Sequence, residues 1–64
     1  MITLTKLNSH EFVINSDLIE TIEHTPDTVI TLTTGNKYVV IESNKEIINK
    51  IIEYKRKILL LVDR

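Results

Sequence analysis

The sequence predicts an α+β fold: a small antiparallel sheet of about five short strands within residues 2–41, followed by one C-terminal amphipathic helix over about 44–62. Three observations predict it. Ile, Val and Thr make up 24 of the 64 residues, with no alanine, and β-branched side chains favour pleated, half-buried surfaces. Short alternating runs separated by turn residues fill the first two thirds of the chain. The hydrophobic period then changes from two to about 3.6 after Ser43.

The strands come in order. Ile2 and Leu4 alternate with Thr3 and Thr5, and Asn8-Ser9-His10 supplies a polar turn. Phe12 and Ile14 alternate with Glu11 and Val13, and Asn15-Ser16-Asp17 makes the next turn. Leu18 to Glu23 reads as a third strand, with Ile19 and Thr21 on one face and Leu18, Glu20 and Ile22 on the other. Thr25-Pro26-Asp27-Thr28 is a turn in which Pro26 presets φ. Val29 to Thr33 sets Ile30 and Leu32 against Val29, Thr31 and Thr33. Gly35-Asn36 holds the one glycine where a hairpin needs positive φ, and Lys37 to Ile41 returns. Tyr38-Val39-Val40-Ile41 is apolar on both faces, so this strand is expected to be buried on two sides.

Ser43-Asn44-Lys45-Glu46 matches a helix capping box. Ile47, Ile48, Ile51, Ile52, Tyr54, Lys55, Ile58, Leu59 and Val62 follow the helical period, and the stem of Lys55 can lie along such a surface. Lys45, Asn49, Lys50, Glu53, Arg56 and Lys57 take the opposite face. Leu60 and Leu61 carry the apolar stripe around the helix end, and an end that is apolar all round is normally covered. Residues 58–62 therefore read as a surface for another copy or a partner, the alternative being an exposed tail.

Sixty-four residues predict a single domain, 1–64, too small to be generously stabilised by its own core. With no cysteine, disulfides and thiolate metal sites are excluded. The net charge of −1 divides into −4 over residues 1–36 and +3 over 37–64. Such a dipolar chain suits docking between surfaces of opposite sign, copies of itself included, so a homo-oligomer is expected. It does not suit non-specific nucleic-acid binding, which needs convergent bases. The N-terminus lacks the features of a signal peptide, and the longest apolar run, Ile58 to Val62, is far short of a membrane span. A cytoplasmic setting is the expectation.

Nothing points to catalysis. His10 and His24 fall in or beside turns, and a weak metal site from His10, His24, Glu23 and Asp27 is the most that can be assembled. Asp17, Glu20 and Glu23 are spaced so that neighbours face apart on a strand. No enzyme activity, metal or cofactor is expected. Lys55-Arg56-Lys57, followed by Ile58 to Val62, is the one basic run. It fits nucleic acid, an anionic membrane surface or an acidic partner, with a peripheral membrane or membrane-protein contact first among them, the alternative being a solvated helix face. The candidate interaction residues are Tyr54, Lys55, Arg56, Lys57, Ile58, Leu59, Leu60 and Leu61.

Leu7-Asn8, Glu11-Phe12, Asn15-Ser16-Asp17-Leu18-Ile19-Glu20, Ile22-Glu23, Thr25-Pro26-Asp27-Thr28, Gly35, Lys37-Tyr38-Val39-Val40, Glu42-Ser43 and Ile52-Glu53-Tyr54-Lys55-Arg56-Lys57 together resemble the FlbD/SwrD family of small flagellar proteins. The resemblance runs from residue 1 to about 58. Asn8-Ser9 departs from the Asn-Gly usual at that turn. The resemblance implies a cytoplasmic, non-catalytic accessory of the flagellum that serves motility and swarming by supporting motor power through the stator. The alternative is a small nucleic-acid-binding regulator, since five strands and a helix are loosely similar to LytTR-type and CsrA-type folds.

Overall fold

The computed structural model describes residues 1–24 and 26–62, the side chains of residues 61 and 62 excepted. Five strands, a 3-10 turn and one helix follow each other: β1 (Ile2–Thr5), β2 (Glu11–Ile14), the 3-10 turn Ser16–Leu18, β3 (Ile19–His24), β4 (Thr28–Leu32), β5 (Lys37–Val40) and α1 (Asn44–Val62). The strands form two antiparallel sheets rather than one, β1–β2 and β3–β4–β5.

Each hairpin follows from its turn. Lys6 N–H donates to His10 O (2.9 Å) and Ser9 N–H to Lys6 O (2.9 Å), while the Asn8 side chain accepts from His10 N–H (3.1 Å). Ser9 takes the glycine-like φ of +73° in this turn. Gly35 does the same at +95°, and its N–H donates to Leu32 O (2.9 Å), closing β4 onto β5. Asn15-Ser16-Asp17 is the start of the 3-10 turn, with the Asn15 side chain accepting from Asp17 N–H (3.0 Å). The turn expected at residues 25–28 retains Pro26 and Asp27 as a bend, and Thr25 lies outside the described residues.

Two expectations about strand faces are corrected. β3 does not alternate cleanly: Ile19 pairs with Leu32 but Thr21 pairs with Thr31, so Glu20 is an extra residue at a β-bulge. The bulge resets the phase, and Ile19 and Ile22, rather than Ile19 and Thr21, pack on the core. Leu18 ends the 3-10 turn rather than opening the strand. β5 is buried on one side only: Val40 is 1% exposed, whereas Val39 and Ile41 stand 37% and 59% exposed on the other. Among the described residues nothing covers that outer face, because α1 packs on the inner one.

The two sheets meet along a seam at Thr5. Thr5 O accepts from Ile41 N–H (3.0 Å), Lys6 bridges Val40, and Thr5 N–H donates to Glu42 Oε1 (3.0 Å). This joins β1 to β5, so β2 and β3 are the open edges. Ile2, Leu4 and Ile14 from the first sheet face Ile30, Leu32 and Val40 from the second. α1 closes the gap by inserting Ile47, 0% exposed, with Ile51 and Tyr54 at its margin. Each fully buried aliphatic side chain of this kind contributes roughly 1.5–3 kcal/mol. The capping box forms as the sequence predicts: Glu46 N–H donates to Ser43 Oγ (3.1 Å) and Ser43 N–H to Glu46 Oε1 (3.0 Å).

Candidate functional site

A 19-residue helix runs about 28 Å, and only its first half has sheet beneath it. Ile47 is buried and Ile51 and Tyr54 are half-buried, one residue per turn. From Lys55 to Leu60 every residue is exposed. The helix therefore overhangs the strands by about 12 Å, eight residues at 1.5 Å each. The whole molecule measures 42 × 23 × 18 Å as a result.

The eight expected contact residues fall into three groups. Tyr54 belongs to the margin of the core, and with Lys57 it lines a shallow groove of about 370 Å³ whose other walls include Ile2, Asn49 and Lys50. The basic residues are partly engaged: Lys55 Nζ meets Asp17 Oδ1 at 2.7 Å, and Arg56 Nη1 meets Glu53 Oε1 at 3.5 Å one helical turn back. The hydrogen bond and charge of Lys55 hold the Asp17 carboxyl below the ordinary carboxylate range, and Asp17 raises Lys55 in turn. Both partners are largely in water, so the pair orients the helix more than it stabilises it. The apolar residues Ile58, Leu59 and Leu60 are exposed. The Leu61 side chain lies outside the described residues.

The histidines do not assemble a site. His10 closes the β1–β2 turn, while His24 ends β3 beside Pro26, Asp27 and Ile41. Among the described residues no three His, Cys, Asp or Glu side chains come together in a way that could hold a metal.

Three features escaped sequence reasoning. Glu42 is buried at 8% exposure and its carboxylate accepts from Thr5 N–H across the seam. Burial pushes this carboxyl up, but the hydrogen bonds from Thr5 and from its own backbone, with the charge of Lys50, outweigh that and leave it below its ordinary 4.5. The Lys6 ammonium lies 5.3 Å from the Phe12 ring centre and 5.9 Å from that of Tyr38, and the two rings are 5.3 Å apart. That contact occupies one of the two bases that residues 1–43 possess, the other being Lys37. Finally, the apolar helix set divides into two rows. Ile47, Ile51 and Tyr54 pack on the core, while Ile48 and Ile52, about half exposed, form a second row that has no cover among the described residues. Counting spacings from Ile47 alone reveals the first row; counting again from Ile48 reveals the second.

Residues 1–59 match the model of a family described as flagellar and swarming motility proteins, FlbD. The chain belongs to that family. No curated protein sequence and no solved structure matches it. The matched span covers both sheets and the helix as far as Leu59, and so takes in Lys55 to Lys57 and the start of the overhang. Among the described residues no helix is long and apolar enough to cross a membrane.

Proposed function

We propose that this FlbD-family chain is a non-catalytic accessory of the flagellar motor, acting at the cytoplasmic face of the membrane and raising motor power through contact with the stator. The overhanging end of α1 carries this reading. It presents Ile58, Leu59 and Leu60 in water beside Lys55, Arg56 and Lys57. Exposed apolar side chains next to a basic run suit a protein surface that is acidic at its rim, close to an anionic membrane. A folded body that holds such a helix end away from itself is an adaptor rather than a chamber for chemistry.

The test replaces Leu59 and Leu60 by Ser together, leaving the buried residues of α1 untouched. The expected result is a normal number of flagella that drive cells poorly through viscous medium, with crosslinking to stator components reduced. Unchanged motility, or loss of the filaments themselves, overturns the reading.

A further inference from the structure

Apart from the overhang, two faces have no cover among the described residues, and they are unlike. On α1, Ile48 and Ile52 are 48% and 49% exposed. They lie one helical turn apart, with Lys45 a turn before and Arg56 a turn after. On the outer side of the larger sheet, Val39 and Ile41 are exposed beside half-buried Val29. Glu23 pairs with Val29 in register, so it borders this apolar strip; Glu20 bulges from the same strand, and Lys37, in register with Thr31, lies on the same face two residues before Val39. One face is apolar with a basic rim; the other is apolar with two glutamates against one lysine at its rim. The wider charge follows the same division, −4 for residues 1–43 and +3 for α1.

We propose that these two faces meet between molecules: the outer face of β4–β5 of one copy takes the Ile48–Ile52 row of α1 from a second copy. Pairing like with like is disfavoured, because helix on helix sets +3 against +3 and sheet on sheet sets −4 against −4. The dimensions agree. Residues 48–56 of a helix span about 12 Å, and a three-stranded sheet is about 10 Å from first strand to last. Each molecule carries both halves, so a two-fold arrangement makes the contact twice and closes the assembly. The inference goes beyond the motor reading and does not depend on it, since it uses Ile48 and Ile52 rather than Leu59 and Leu60.

The experiment measures the mass of the full chain by sedimentation over a concentration series. The wild type is expected to self-associate at high micromolar concentration, and less so as salt is raised. Ile52→Glu spoils the helix row and Val39→Lys spoils the sheet face, each weakening self-association by at least about tenfold. The decisive sample is their equimolar mixture. The intact sheet face of the first variant can bind the intact helix of the second, so a one-to-one heterodimer appears at concentrations where each variant alone stays monomeric. Circular dichroism checks the fold, and Ile41→Lys replaces Val39→Lys if that strand does not tolerate lysine. A wild type that stays monomeric, a mixture that stays monomeric, or a sheet variant that associates like the wild type each overturns the proposal. None of these results bears on the Leu59–Leu60 test.

Discussion

Ser9 holds φ at +73°, a conformation that costs an L-residue roughly 1–2 kcal/mol and glycine almost nothing. The turn keeps it there because Asn8, the Lys6 carbonyl and the Lys6–His10 bond fix the backbone on both sides. Ser9→Gly is therefore expected to raise stability, by up to about 1 kcal/mol once the greater freedom of glycine in the unfolded chain is counted. Chemical denaturation of the two proteins measures it. Glu42 makes a second residue-scale prediction. Its carboxyl titrates lower in the folded chain than in the unfolded one. The unfolded chain therefore binds the proton first as pH falls, and acid favours unfolding. The contribution is complete above the ordinary value of 4.5 and lost as pH drops through the lower folded value. Glu42→Ala is expected to cost about 1–3 kcal/mol at neutral pH, since it leaves the Thr5 amide unpaired, and to flatten this part of the acid dependence. Denaturation midpoints at pH 7 and pH 3.5 check both.

At the scale of elements, the alternating strands and the helix were legible because their signals are local. Ser43 and Glu46 lie three residues apart and meet as the capping box requires. Ser43→Ala is expected to cost about 1 kcal/mol, with the loss read as reduced helical signal before the main unfolding transition. The bulge in β3 was not legible. Ile19 and Ile22 differ by an odd number, and alternation alone must send them to opposite faces. Only the pairing with β4, which skips Glu20, brings both inward. The outer face of β5 misled for a related reason. An apolar pair such as Val39 and Ile41 looks the same in sequence whether its cover comes from the same chain or from another.

At the scale of the molecule, the overhang of the late helix was legible because α1 is too long and too apolar for the sheets beneath it. The two rows of its isoleucines lie in their spacing, but which row would be left exposed was not legible, since it depends on how α1 lies on β1 and β3. The seam was equally hidden: Thr5 and Glu42 are 37 positions apart, and neither carries a local sign of the other. That separation sets an order of events during synthesis. The β1–β2 hairpin leaves the ribosome first, yet its partner edge at Val40 and Ile41 follows only after every other strand. Ile47, which fills the centre, emerges later still. The nascent chain must therefore carry an unsealed hairpin, Ile2, Leu4 and Ile14 included, until Ile47 has emerged, and a ribosome stalled before that point would expose those side chains to chaperones for as long as the stall lasts.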